Sequence, residues 1–288
     1  MLRLLVADGN TAEGRRRIAE TTGATPAAAY AEILRGIAPE AQVELCTPAD
    51  DGAELPAALE SYDGVAITGS SLNIYRCDVG SLRQIDFVRQ IFALGVPMFG
   101  SCWGLQVAAV AAGGEVARNP RGREVAFARK IALTGAGRAH AMHARRAAIF
   151  DAPAIHGDEV IRLPETAVVT AANSVSAVQA AEIRFGKGVF WGVQFHPEYR
   201  LNEIAATVRR YGMKLVEEGF FVDLGELARY ASALEDLHHD PARRDIAWRF
   251  GLGDEILDES RRVCEIANWI NHLVLPTRSE RGRGGADC

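Results

Sequence analysis

Hydrophobic positions in the first two-thirds of the chain switch between short continuous runs and helical spacing. The stretch 2–8, LRLLVAD, is an apolar run that stops at the turn signal Asp8-Gly9-Asn10. Residues 26–37 open with Pro26 and place Tyr30, Ile33, Leu34 and Ile37 at helical intervals. A strand is expected over 42–46, a short helix over 52–62, and a buried strand with a Gly-Ser loop over 64–70. The spacing of apolar residues at 82, 85, 88, 91 and 92 predicts an amphipathic helix over 81–94. An apolar run at 96–100 then meets Cys102, and an Ala-rich helix is expected over 103–114.

Continuous apolar strands alternating with helices imply a parallel sheet covered on both faces. The expected fold class is α/β, a mostly parallel sheet with helices on both faces, a flavodoxin-like fold. From 115 to 195 the signals are mainly strands (124–133, 154–163, 167–172, 177–185 and 188–195), and they predict an antiparallel extension. A helix is expected over 201–218, with further helical stretches near 223–236, 240–249 and 254–274. This gives a main domain over 1–215 and a helical extension over 216–275. The Gly/Arg-rich residues 276–288 are expected to be a disordered tail.

In a doubly wound sheet, ligands bind outside the carboxyl ends of the strands. Asp8-Gly9, Thr68-Gly69-Ser70 and Cys102 all fall at such ends. A lone cysteine is most often a buried small apolar residue. Here, however, it follows a strand and precedes a helix, between Gly100 and Gly104, as the nucleophile does in a strand–turn–helix elbow. A helix N-terminus favours thiolate. A nucleophile needs a base, and the base needs an orienting group. The segment 191–199, WGVQFHPEY, provides both: a strand ending at His196, with Glu198 two residues on and projecting to the same side of extended backbone. In this geometry the N–H of Trp103 is one oxyanion donor, and the loop 68–71 offers another from Ser70 or Gly69.

The pattern Gly100-x-Cys102-x-Gly104-x-Gln106, together with GVQFHPE at 192–198, resembles the class I (triad-type) glutamine amidotransferase family. The likeness is closest to GMP-synthase-like amidotransferase domains and covers about residues 1–215. The segment 155–164, IHGDEVIRLP, resembles the His-Gly-Asp segment of those members. The resemblance implies that Cys102 attacks a glutamine side-chain amide to give a γ-glutamyl thioester. It makes His196 the base, Glu198 its orienting carboxylate, and Ser70 and Trp103 the backbone oxyanion donors. It places Gly69, Gln106, His156 and Asp158 beside the substrate.

Two departures stand out. Gly69-Ser70-Ser71 replaces the Gly-Gly-Pro of many members, a change that keeps the backbone donors. No phosphate loop of an ATP-pyrophosphatase domain is found. The first expectation is therefore a glutaminase that passes ammonia to a separate synthase. The alternatives are a stand-alone γ-glutamyl amide hydrolase and a non-catalytic regulatory member of the fold.

Composition narrows the partners. With 288 residues, 48% of them apolar, a large core can form, and a net charge of −5 gives no reason to expect nucleic acid or an anionic membrane. No run approaches the roughly 20 apolar residues of a membrane span. Five cysteines without C-x-x-C spacing argue against disulfides or a zinc site. The expected setting is a reducing cytoplasm, with no cofactor and no metal. The apolar face of 254–274 is a candidate homo-oligomer or docking surface, with packing on the chain's own domain as the other reading.

Overall fold

The structure is a computed structural model that describes residues 1–282. In chain order its elements begin with β1 (Arg3–Ala7), α1 (Ala12–Thr22), α2 (Pro26–Ile37), β2 (Gln42–Cys46) and β3 (Gly64–Ile67). Next come α3 (Val79–Leu94), β4 (Met98–Ser101), α4 (Trp103–Ala111), β5 (Glu115–Arg118), β6 (Phe127–Leu133) and α5 (Gly135–Ala139). The strands β7 (Ile149–Pro153), β8 (Asp158–Arg162), β9 (Ala167–Ala172), β10 (Ala180–Phe185) and β11 (Gly188–Val193) follow. The chain continues with α6 (Leu201–Glu217), α7 (Leu224–His239), α8 (Arg244–Phe250), α9 (Asp254–Leu257), α10 (Glu259–Arg262), α11 (Cys264–Trp269) and α12 (Leu275–Glu280).

Nine strands form one sheet in the order β2-β1-β3-β4-β11-β10-β9-β6-β7. The first five pair in parallel. The rest pair antiparallel, as the sequence pattern predicts. β5 and β8 form a separate antiparallel pair, of which β5 has no clear sequence signal.

One face of the parallel half is covered by α3 and α4, which bury Leu5, Val65, Ile67 and Met98. The other face is covered by α2 and by α11, where Trp269, Ile266 and Ile270 share a cluster with Leu4, Val6, Ala66 and Phe99. Gly64 leaves room for this, since a Cβ there would lie 2.8 Å from the Trp269 ring. The apolar positions of 254–274 are thus buried against the chain's own sheet: Ile256, Val263, Ile266, Ile270 and Val274 all lie in the core. A contact between copies would have to use other residues.

Several local expectations differ from the structure. The single helix expected over 254–274 is three short helices and a π turn. Asp258 starts a new helix by accepting from the Ser260 and Arg261 N–H groups. Residues 52–62 hold only a 3₁₀ turn at Leu59–Ser61. The expected tail begins as helix α12, whose last turn leads to Arg281, a donor to the Tyr62 and Glu60 carbonyls. Residues 283–288, the remainder of that expected tail, lie outside the described residues. α1, which buries no residue fully, was not expected; its hydrophobic pattern is too weak to register. Among the described residues, no helix is long and apolar enough to cross a membrane.

Candidate active site

β1, β3, β4 and β11 all run in parallel, so their carboxyl ends meet at one edge. There Gly9, after β1, lies so close to Trp103 that a Cβ would sit 2.7 Å from Cδ1. The turn from β4 into α4 places Cys102 at φ 51° and ψ −98°, a left-handed conformation that a non-glycine residue adopts only when its surroundings impose it. Two glycines permit that turn. A Cβ on Gly100 would lie 2.8 Å from the Gly104 backbone, and one on Gly104 would lie 2.8 Å from the Ile67 carbonyl. The elbow is pinned to β11 by the Cys102 N–H, which donates to Val193 O at 2.8 Å. The strand–turn–helix elbow expected from the sequence is therefore present.

His196 is buried, and its Nδ1 lies 2.7 Å from Glu198 Oε1. The expected extended backbone is not what brings them together. β11 ends at Val193, and His196-Pro197-Glu198 forms a turn closed by the Tyr199 N–H on the His196 carbonyl at 3.1 Å. The second Glu198 oxygen accepts from Ser101 Oγ at 2.8 Å, so the residue before the cysteine holds the carboxylate. Tyr199 stacks on the imidazole at 4.1 Å between centroids. At its Cε1 edge the ring meets Gly69, where a Cβ would lie 2.5 Å from His196 Cε1. Burial alone pushes the imidazole pKa down. The Glu198 carboxylate and the Cys102 side chain outweigh it and hold the pKa up, at about 10. That favours the imidazolium, the form that pairs with a thiolate.

The loop 68–71 is tied to the end of β1. Thr68 Oγ1 accepts from the Gly9 N–H at 2.9 Å, Asn10 Nδ2 donates to the Gly69 carbonyl at 3.0 Å, and Asn10 Oδ1 accepts from the Ser71 N–H at 3.2 Å. Ser70 Oγ accepts from the Leu72 N–H, and Ser70 lines the pocket. Trp103 is the first residue of α4, so its N–H belongs to the turn that has no intrahelical acceptor. Its indole donates to Gln84, whose amide donates to the Gly9 carbonyl.

Cys102, Gln106, Gly69, Ser70, His156, Asp158 and His196 all line one pocket of about 320 Å³, at the low end for small-molecule sites. Both nitrogens of His156 are occupied, by Glu124 Oε2 at 2.8 Å and by the Asp158 carbonyl at 3.0 Å, so it fixes the turn that presents Asp158. The Asp158 carboxylate accepts from Asn73 Nδ2 at 2.6 Å and from the Tyr75 hydroxyl at 3.2 Å. Gln106 Nε2 lies 3.3 Å from Gln194 Oε1 and 3.4 Å from the Asp158 carbonyl.

Sequence reasoning missed Asn10, Ser101, Tyr199 and Arg210. For Ser101 and Tyr199 a signal exists, since they adjoin Cys102 and Glu198 in sequence. For Asn10 and Arg210 none does, because each reaches the site only through the fold. Among the described residues, no group of three or more His, Cys, Asp or Glu could hold a metal ion.

Comparison with known proteins decides the family. Residues 32–213 match the family described as glutamine amidotransferase class-I. The chain belongs to that family. It is 38% identical to a γ-glutamyl-L-1-hydroxyisopropylamide hydrolase from a Pseudomonas species over 99% of this chain and 97% of that one. It is also 38% identical to a GMP synthase (glutamine-hydrolysing) from Chlorobium limicola, over 67% of this chain but only 34% of the synthase. A glutamine amidotransferase structure from Thermotoga maritima superposes with a TM-score of 0.64 over 95% of this chain and 98% of its own, at 18% identity, which shows a shared fold.

Proposed function

We propose that this class I amidotransferase-family enzyme is a stand-alone hydrolase of γ-glutamyl amides, cleaving them through Cys102, His196 and Glu198. One observation carries the stand-alone reading. Similarity to the γ-glutamyl-L-1-hydroxyisopropylamide hydrolase runs end to end, through the helices after α6, whereas the match to GMP synthase stops at a third of that protein. The ammonia-channelling reading requires a synthase partner that this comparison does not call for.

The chemistry follows from the site. The Cys102 thiolate attacks the γ-carbonyl carbon, and the oxyanion lies between the Ser70 and Trp103 N–H groups. Nε2 of the His196 imidazolium gives its proton to the leaving amine as the C–N bond breaks, and the thioester forms. Thioester formation removes the charge on Cys102, one of the causes of the raised imidazole pKa. The neutral ring can then take a proton from water, and hydroxide attack releases glutamate. Glu198 holds the imidazole by Nδ1 throughout. The glutamyl group lies toward Gln106 and Asp158, whose carboxylate is the acceptor for its α-ammonium.

The test is steady-state hydrolysis of glutamine and of γ-glutamyl alkylamides by the purified chain alone. Release of glutamate and free amine from the alkylamides, with kcat/KM above that for glutamine, is the expected result. Turnover of glutamine alone, or only after a synthase is added, would overturn the stand-alone reading.

A further inference from the structure

An oxyanion site works only if its backbone donors are aimed before the substrate arrives. In the loop after β3 the aim is set by one side chain. The peptide between Gly69 and Ser70 is planar and trans, so its C=O and N–H point in opposite directions. Asn10 Nδ2 and Thr68 Oγ1 both donate to the Gly69 carbonyl, each at 3.0 Å. With that oxygen held, the Ser70 N–H faces away from Asn10 Nδ2. Among the described residues it has no hydrogen-bond partner. The next donor along, the Ser71 N–H, is taken by Asn10 Oδ1 at 3.2 Å. One amide group thus aims one backbone donor and withdraws its neighbour.

Asn10 can do this because it is itself fixed. It is buried, and its Nδ2 also donates to Asp8 Oδ1 at 3.1 Å. The same carboxylate oxygen accepts from the Asn10 N–H at 3.0 Å. Asp8 Oδ2 accepts from the Ala27 N–H in the first turn of α2, where a helix N-terminus favours a carboxylate. The Asn10 carbonyl accepts from Arg15 Nη1 at 2.7 Å. The amide has one workable orientation. A flip would set Oδ1 against the Asp8 carboxylate and the Gly69 carbonyl, and Nδ2 against the Ser71 N–H.

We infer that Asn10 is a positioning residue for hydrolysis, which keeps the Ser70 N–H directed at the developing oxyanion. It acts through the loop and not on the reacting atoms. The inference rests on the hydrolase reading above, in which Ser70 and Trp103 bind the oxyanion. Asn10 therefore matters where charge develops on the carbonyl oxygen, and not to the nucleophilicity of Cys102. Acylation and deacylation both pass through an oxyanion, so kcat depends on Asn10 whichever step is slower. Iodoacetamide separates the two properties. The Cys102 thiolate displaces iodide, a C–S bond forms, and no carbonyl oxygen gains charge.

The experiment measures glutamate release from a γ-glutamyl alkylamide and the rate of iodoacetamide labelling mapped to Cys102, in wild type, Asn10→Ala and Asn10→Asp. Asn10→Ala should lower kcat by about 10²-fold, with KM and the labelling rate within about twofold of wild type. Asn10→Asp keeps an acceptor for the Ser71 N–H but loses both Nδ2 donors, so its kcat should fall at least as far. A normal kcat in either variant overturns the inference and leaves the hydrolase reading intact. So does a parallel fall in kcat and labelling, which would mean that Asn10 shapes the cysteine site as a whole. A wild type that is labelled at Cys102 but cleaves no γ-glutamyl amide overturns the hydrolase reading and the inference with it.

Discussion

Two of the buried histidine–carboxylate pairs occupy different parts of this molecule and differ in what the second ring nitrogen meets. His196 and Glu198 sit at the carboxyl edge of the parallel strands, with Nδ1 on the carboxylate at 2.7 Å and the rest of the ring facing Cys102 and the pocket. Glu265 belongs to α11, and His143 lies in the turn Ala141–His143 packed against that helix. There the imidazole is held at both nitrogens, by Glu265 Oε1 at 3.4 Å and by Thr170 Oγ1 at 3.0 Å, and Arg146 pairs with the same carboxylate. Both pairs are buried. What separates the proposed catalytic pair from the structural one is the second nitrogen, free of a hydrogen-bond acceptor or donor outside the pocket in one and bonded to Thr170 Oγ1 in the other.

That contrast can be tested from the largest effect downward. Cys102→Ala should lower amide hydrolysis by about 10⁴-fold or more, measured as glutamate release. Cys264→Ala, which removes a partly buried thiol whose pKa desolvation pushes up, should leave turnover close to wild type. Equal losses in the two variants would contradict the assignment. Next, His196→Asn should cost about 10³-fold in kcat with little change in Tm, whereas His143→Asn should lower Tm by several degrees and retain kcat. The contrast fails if both variants lose activity at unchanged Tm.

Gly69→Ala tests the packing of the His196 ring. The added methyl meets His196 Cε1, and a displacement of about 1 Å can cost about 10²-fold in rate. A normal kcat in this variant would show that the ring has room to spare.

The structural pair should answer to pH. Burial raises the Glu265 pKa, but Arg146 outweighs it and holds the carboxyl at about 2 rather than 4.5. A pKa lowered on folding gives stability that is present above about pH 4.5 and is lost as the pH falls toward 2. Glu265→Gln should therefore destabilise the fold by about 3 kcal/mol at neutral pH, since it leaves Arg146 buried without its anion. It should also flatten the loss of stability in that acid window. Acid denaturation curves for the two proteins measure both effects, and parallel curves would contradict the ion-pair account.

The site was legible where chemistry is local in sequence. Gly100, Cys102 and Gly104 specify the elbow within five residues, and His196 and Glu198 are two apart. The parallel sheet was legible because its strands are buried on both faces and read as unbroken apolar runs. What stayed hidden depends on distant packing. Trp269 covers the sheet above Gly64, and helical spacing alone does not say which face it meets. α1 carries little apolar signal, yet it brings Arg17 and Ile18 to the pocket. The Ser101 hydroxyl, which steadies Glu198 at 2.8 Å, becomes visible only when β4 and the turn after β11 are side by side.

The most direct measurement is to quench the enzyme during turnover of a γ-glutamyl alkylamide and map covalent adducts by mass spectrometry. The account predicts a γ-glutamyl thioester on the peptide carrying Cys102, accumulating in wild type, absent from Cys102→Ala, and chased to free glutamate by water. An adduct on another cysteine, or amide cleavage that persists in Cys102→Ala, would contradict it.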